Sequence, residues 1–330
     1  MTVKKIKRLL KTKETILMLV TLAIVLGFFI NNKYYLSLDS LRGTMISMSI
    51  TGIMAVGVAL LFIGKGIDLS MSMACLFGGV SCALLMRAGI PWPIAIVITL
   101  IIGACIGGIH AFMIAKLGMM PFIATIAMAN VLQGVNLTLT NAQNVTIADE
   151  SFYWGSTLLV GIFPVPFVIM IILLLVYGVI LSKTQFGRNI YLVGGNEQAA
   201  RLAGVSPVKT RSVLYINAGV MSTFSGVVLA SRMRTASPSS LSDNQMTAIT
   251  AAILGGIAFT GGSGGMTGCF IGILMLSFFN TGLSSLALKA YWTTIASGLL
   301  LILALTVDFF NERSRAKSLR ANTDAKGVQE

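Results

Sequence analysis

Residues 44–63 read TMISMSITGIMAVGVALLFI, twenty residues without a charged side chain. A helix of this length spans about 30 Å, the thickness of the hydrocarbon core of a bilayer. Similar apolar runs recur along the chain of 330 residues, of which 55% are hydrophobic and 11% charged, whereas soluble domains carry about 25% charged residues. The sequence therefore predicts an all-α integral membrane protein and excludes a soluble globular domain.

The apolar runs outline about ten transmembrane helices. We place them at 15–31, 44–63, 69–86, 92–115, 121–140, 159–181, 212–231, 245–259, 266–283 and 290–309. Two regions fit a regular span poorly. The run at 245–259 is short and interrupted by glycine, and the stretch at 64–70 carries Lys65 and Asp68, so either could be a broken or re-entrant helix.

The 24 lysine and arginine residues, which give a net charge of +13, predict the orientation of these spans. Eleven lie in the tails at 1–14 and 310–330, and seven more in alternate loops, which leaves six on the other side. Basic residues concentrate on the cytoplasmic side of spans. We therefore predict one transmembrane domain at 15–309 with both termini cytoplasmic. This distribution explains the positive net charge as a signal of membrane orientation rather than of nucleic-acid binding. No standard nucleic-acid-binding motif occurs in the sequence.

No catalytic or metal-binding pattern occurs in the sequence. GxSxG, HExxH and GxxxxGK[ST] are absent, the four cysteines lie in apolar runs, and the single histidine, His110, falls inside a span. We therefore predict that the chain is not an enzyme and holds no metal or cofactor. Glycines spaced four apart predict tightly packed helices, and they are Gly103 with Gly107, Gly261 with Gly265, Gly264 with Gly268, and Gly268 with Gly272.

Two loops are longer than a turn. Asn141–Leu158 is acidic and aromatic and falls outside, where it forms either an interfacial aromatic belt or a docking surface for an external partner. The basic loop at 182–211 falls inside. Within it, Asn196–Leu202 has the features of a short helix, with Asn196 as N-cap, Glu197 in the first turn and Gly204 as the stop. So short a helix is marginal alone in water, so it packs either on its own bundle or on a cytoplasmic partner.

Several of these segments resemble one known family. GGNEQAARLAGV at 194–205 resembles the coupling segment of ATP-binding-cassette (ABC) importer permeases of the ribose and sugar-uptake type. AVGVALLFIGKGIDLS at 55–70, AITAAILGG at 248–256 and GGSG at 261–264 are similar to other signatures of the same permeases, in the same order. The resemblance runs from about residue 40 to 310.

The resemblance implies a type II importer-like bundle that moves a ribose-like monosaccharide inward across the cytoplasmic membrane. The implied partners are a second permease subunit, identical or similar, a separate cytoplasmic ATPase that binds ATP and Mg²⁺, an extracytoplasmic sugar-binding protein and membrane lipid. The implied contacts to the ATPase are Glu197, Ala199, Ala200 and Gly204. The alternative is a secondary carrier or channel for a small polar solute, which the few intramembrane charges disfavour.

Polar residues inside the spans are the candidates for a translocation path or gate. They are Asp68, Asn130, Gln133, Asn136, Asn217, Gln245 and Asn280. Amides suit sugar hydroxyls, but they also serve as hydrogen-bonded contacts between helices, worth about 0.6 kcal/mol each. A carboxylate at the bilayer centre costs about 2.5–3.5 kcal/mol, so Asp68 should be paired or near water, either in a gate or as a pin between helix ends.

Overall fold

The computed structural model describes residues 13–239 and 244–286, together with a few helical residues between 292 and 306. The long helices are α1 (Lys13–Asn31), α2 (Leu38–Ile63), α3 (Met71–Arg87), α4 (Trp92–His110), α5 (Pro121–Thr140), α6 (Val165–Lys183), α9 (Pro207–Met233) and α11 (Met266–Ser285). The shorter helices are α7 (Gln185–Gly195), α8 (Glu197–Leu202) and α10 (Asn244–Leu254). Four two-residue strands are β1 (Val145–Thr146), β2 (Leu158–Leu159), β3 (Phe163–Pro164) and β4 (Thr235–Ala236).

Seven helices among these residues are long and apolar enough to cross a membrane, and α3 is a shorter apolar helix. The all-α prediction is therefore confirmed, whereas the count of ten spans stays a prediction, since the run at 290–309 lies largely outside the described residues. The predicted span at 245–259 is wrong as a continuous helix. Helix α10 ends at Leu254, and a glycine-rich segment without helical structure leads from it to Met266.

Helices α2 and α9 form the centre of the bundle. Seventeen of the 26 residues of α2 are buried, whereas Thr21 is the one buried residue among those of α1 whose exposure is described. Helix α9 packs against α4, α3 and α2, and α11 packs against α10, α1 and α2. The outer helices present continuous apolar surfaces that a bilayer would cover, which agrees with a membrane domain.

Glycines bring the central helices into backbone contact. A Cβ atom added to Gly107 of α4 would lie 2.3 Å from the carbonyl oxygen of Tyr215 on α9. One added to Gly268 would lie 2.0 Å from the oxygen of Gly255, and one added to Gly272 2.0 Å from that of Ala251. The predicted packing roles of Gly103 with Gly107 and of Gly268 with Gly272 are therefore confirmed, because each sits where only hydrogen fits. Gly261 and Gly264, also read as helix-packing glycines, instead lie in the non-helical segment.

Loops predicted to lie on the same side meet in the fold. Nη2 of Arg42 donates to the Gly161 oxygen at 2.7 Å, and Asn141–Leu158 lies at this end, where β1 pairs with β4 and buried Phe152 packs near Trp92. At the other end of the bundle, the Gly262 amide donates to the Ile63 oxygen at 2.8 Å. The charge-based grouping of loops is thus reproduced in space.

Candidate functional site

Helix α8 has about one and a half turns and lies between an N-terminal cap and a C-terminal stop. The Asn196 side chain accepts from the amides of Gln198 and Ala199, at 3.0 Å each, and so caps the N-terminus. At the other end, Gly204 adopts φ +78°, a left-handed conformation that glycine tolerates best. Its amide donates to the Arg201 oxygen at 3.0 Å, which closes the helix. The predicted helix and both of its signals are confirmed.

Glu197 ties α8 to α9. Its carboxylate accepts from Arg201 at 2.8 Å, within α8, and from Arg211 at 2.8 Å, in the first turns of α9. These partners, with the Arg201 hydrogen bond contributing most, lower the pKa of Glu197 from its usual value. The residue therefore does more than balance the helix dipole, since it bridges two elements across fourteen residues of sequence.

The two faces of α8 differ. Ala200 is completely buried and faces the chain's own bundle, whereas Ala199 and Gly204 are exposed. Leu202 is 91% exposed, although it is a large apolar side chain at the end of a structured helix. One face of α8 therefore packs on the chain's own bundle, as one of the two interpretations predicts, while the other face is open. Its packing on a cytoplasmic partner stays a prediction.

A second polar cluster lies at the break between α2 and α3. Residues 64–70 are not helical, and Asp68 within them is 4% exposed. Oδ1 of Asp68 accepts from the amide and the hydroxyl of Ser70, at 2.8 and 2.7 Å. Its Oδ2 lies 3.4 Å from Nδ1 of His110, a fully buried ring at the end of α4. Asp68 is therefore paired, as its position in an apolar bundle requires.

Two further residues clamp this break from other helices. The hydroxyl of Tyr215, on α9, donates to the Ile67 oxygen at 3.1 Å. Gln245, in the first turn of α10, donates from Nε2 to the Asp68 carbonyl at 3.3 Å and exchanges hydrogen bonds of 3.1 and 3.2 Å with Ser72. Of the seven candidate path residues, Asp68 and Gln245 are thus brought into contact.

The remaining candidates are scattered. Asn130 and Gln133 are exposed on α5, whereas Asn136, on the same helix, is fully buried and finds no hydrogen-bond partner in the described part of the chain. Asn217 accepts from the hydroxyl of Tyr177, which makes it a contact between α9 and α6. Asn280 is half-buried on α11. The structure does not gather these amides into one path within a single chain.

The sequence interpretation missed His110, Tyr215 and Arg211. An ionisable side chain inside an apolar run was the available signal for His110, because such residues need a partner. Among the residues that the structure describes, no three histidine, cysteine or carboxylate side chains form a group that could hold a metal ion.

Known proteins that are similar to this chain are transport permeases. Residues 40–305 match the family described as branched-chain amino acid transport system / permease component. The chain is 32% identical over 305 residues to the ribose import permease protein RbsC of Escherichia coli K12, covering 91% of this chain and 94% of the relative. It is 31% identical to RbsC of Bacillus subtilis, covering 84% and 87%, and 29% identical to the L-arabinose transport system permease protein AraH of E. coli K12, covering 89% of both. With its membrane-spanning helices and a match over most of its length, the chain is a multi-pass membrane protein and belongs to this transport-system permease family.

Proposed function

We propose that this chain is the pore-forming permease subunit of an ABC importer that moves a pentose-like sugar inward across the cytoplasmic membrane. The feature that carries the proposal is α8, a short capped helix whose inner face packs on the bundle while Leu202 stands almost fully exposed. Its open face carries Ala199, Leu202, Ala203 and Gly204, a small and largely apolar surface of the kind that a helix lays into a partner's groove. A separate cytoplasmic ATPase, which binds the ATP and Mg²⁺, is the partner this geometry fits.

The orientation follows from this assignment. If α8 meets a cytoplasmic ATPase, the loop at 182–211 is cytoplasmic, and so are the tails at 1–14 and 310–330. The basic residues then fall on the side where they concentrate in membrane proteins. The opposite end, with the loop at Asn141–Leu158, faces outward, and its exposed Asp149 and Glu150 would meet an extracytoplasmic sugar-binding protein.

The nature of the substrate rests on the relatives. Proteins similar to this chain are named for the import of ribose and the transport of L-arabinose and xylose. All three are pentoses, small uncharged molecules rich in hydroxyls. Asn130 and Gln133, exposed on one chain, would become interior if a second permease subunit covered α5, and their amides suit hydroxyl partners. A pair of permease subunits is therefore part of the proposal.

The first test is mild affinity purification of the chain from its native membrane. We expect a P-loop ATPase and a solute-binding protein to accompany it. The reconstituted complex should then accumulate radiolabelled D-ribose, D-xylose or L-arabinose only when ATP is supplied. Uptake by the permease alone, without ATP, would support a secondary carrier in its place.

Replacement of Leu202 by aspartate tests the role of α8 directly. Because Leu202 touches little of its own chain, Leu202→Asp should leave the amount of folded permease unchanged but abolish co-purification of the ATPase. Val160, which is 92% exposed at the opposite end of the bundle, offers the matched control. Val160→Asp should retain the ATPase, and equal retention in the two variants would contradict the assignment.

A further inference from the structure

A continuous set of contacts links α8 to the centre of the bundle. Arg211 and Tyr215 lie four residues apart on α9 and therefore share one face of that helix. Arg211 holds Glu197 of α8, and Tyr215 holds the backbone of Ile67 in the break between α2 and α3. Tyr215 lies about 12 Å along α9 from its first residue, so the linkage reaches from the end of the bundle into the membrane domain. One helix, α9, therefore contacts both α8 and the break.

The linkage continues from the break to the half-length helix α10. Gln245 is bound by three hydrogen bonds to Asp68 and Ser72, and it stands in the first turn of α10. This helix has eleven residues, about 16 Å, so it covers roughly half of the bilayer core. Its N-terminal end is therefore anchored to the break rather than to a loop at the membrane surface.

The contact between Asp68 and His110 is the part of this cluster in which hydrogen bonding is incomplete. Nδ1 of His110 is buried and lacks a hydrogen bond of good geometry to any described residue, and Nε2 lies 3.5 Å from the Ser70 hydroxyl oxygen. Because that hydroxyl donates to Asp68, both ring nitrogens face acceptors. Nδ1 of His110 and Oδ2 of Asp68 are therefore close but not hydrogen-bonded, and a small shift of either side chain would complete the bond.

The surroundings leave room for such a change. Directly after His110 the chain forms a π-helix at Ala111–Lys116, a rare form that is frequently found at functional sites. A partly open pocket of about 170 Å³ lies next to it and is lined by Glu197, Arg211 and Tyr215, among others. This space lies beside the contact between Glu197 and Arg211, and it leaves those side chains room to shift.

From these contacts we propose that Tyr215, Asp68, His110 and Gln245 are positioning residues that transmit the displacement of α8 to α10. The inference rests on the proposed importer function, and it adds the route by which the ATPase would open or close the membrane path. Tyr215 and Gln245 hold adjacent residues of the break, Ile67 and Asp68, and the Asp68–His110 contact differs between the two conformations. An equilibrium can be shifted only by contacts that differ in this way.

The measurement is the amount of sugar transported per ATP hydrolysed by the reconstituted complex. The probe is radiolabelled D-ribose, D-xylose or L-arabinose, whichever the wild-type complex accumulates. Tyr215→Phe removes one buried hydroxyl, and it should lower this ratio about fivefold or more, the size of a typical coupling between sites. ATP hydrolysis itself should persist, because the ATPase and its contact with α8 remain intact.

Tyr35 provides a matched control. Its buried hydroxyl also donates to a backbone oxygen, that of Phe278, at 2.7 Å, but it lies at the end of the bundle opposite α8. Tyr35→Phe should leave the ratio unchanged. A normal ratio in Tyr215→Phe, or an equal fall in both variants, would overturn the inference.

The contact between Asp68 and His110 needs a separate variant, because removal of one partner leaves the other buried and unpaired. The double variant Asp68→Asn with His110→Gln replaces both by neutral amides. We expect it to assemble with its ATPase but to hydrolyse ATP with little sugar transport. A wild-type ratio would reduce the pair to a structural contact. If no ATPase accompanies even the wild-type chain, it is the importer function that fails.

Discussion

Glu197 shows how one side chain can fix the orientation of a short helix. With only six residues, α8 cannot hold itself in place in water. The carboxylate of Glu197 contacts one arginine within α8 and one on α9, so contact with α9 sets the orientation of α8. The carboxylate must be ionised for both contacts to form, which makes the arrangement sensitive to acid.

The sign of this sensitivity follows from the pKa. The hydrogen bond from Arg201 and the nearby Arg211 lower the pKa of Glu197 in the folded protein below its usual value of 4.5. The ion pairs therefore contribute stability that is fully present above that value and is lost as the pH falls through the lowered pKa. We expect Glu197→Gln to lower the melting temperature of the detergent-purified protein by at most a few degrees at pH 7, since the pair is partly exposed. The difference should shrink below pH 4.5.

Asp39 supplies the comparison, because it pairs with Arg42 at 3.0 Å at the opposite end of the bundle and is 92% exposed. Asp39→Asn should change the melting temperature less than Glu197→Gln does at pH 7. A difference for Glu197→Gln that is the same at pH 4 and pH 7 would show that the carboxylate charge has no part in holding α8.

For individual residues, the sequence predicts contacts between near neighbours in the chain and misses contacts between residues far apart in it. The cap at Asn196 and the stop at Gly204 depend on neighbours within three residues, so residue type and spacing suffice. The need of Asp68 for a partner was also predictable. Its identity was not, because His110 lies 42 residues further along the chain and only the packing of α4 beside the break brings the two together.

Among the helices, the contact between α4 and α9 depends on glycines that admit no side chain. Gly107 faces the backbone of Tyr215, where an added Cβ would lie 2.3 Å from the carbonyl oxygen, whereas its neighbour Gly108 has nothing within 4 Å. Since the obstacle at Gly107 is backbone, it cannot move aside as the end of a flexible side chain could. Adjacent positions on one helix thus differ sharply in what they tolerate.

This difference makes a paired test of helix packing. Gly107→Ala should destabilise the protein by about 1–3 kcal/mol, the usual cost of overpacking, and lower its melting temperature and its level in the membrane. Gly108→Ala should be neutral or slightly stabilising, because alanine favours helix. Equal melting temperatures for the two variants would mean that α4 and α9 do not approach each other as described.

The helix assignments from sequence succeed where an apolar run is continuous and fail where glycine interrupts it. The run at 245–259 has the composition of a span, but α10 stops at Leu254, because Gly256, Gly261 and Gly262 adopt positive φ angles in the segment that follows. Hydropathy averages over such a window, and it carries no information on backbone conformation. The possibility of a broken helix was visible, whereas the point at which it breaks required the structure.

For the whole molecule, the distribution of basic residues and the fold give the same division into two ends. Contacts such as Arg42 with Gly161 join loops on one predicted side, and Gly262 with Ile63 joins segments on the other. Which end faces the cytoplasm is a prediction from charge. A contact between α5 and a second chain is likewise a prediction, and it rests on the exposure of Asn130 and Gln133 on this subunit.

Single cysteines can decide the orientation. Gln198 and Glu150 are both exposed and lie at opposite ends of the bundle, and Cys105 is the exposed cysteine among the four, so the test is made in a Cys105→Ser background. With a membrane-impermeant maleimide added to intact cells, Glu150→Cys should be labelled and Gln198→Cys should not, while permeabilised cells should label both. Gln198→Cys should also crosslink to the co-purifying ATPase, because it lies on α8 beside the exposed face. Labelling of Gln198→Cys in intact cells would show that the orientation is the reverse of the predicted one. Helix α8 would then lie where no cytoplasmic ATPase could reach it.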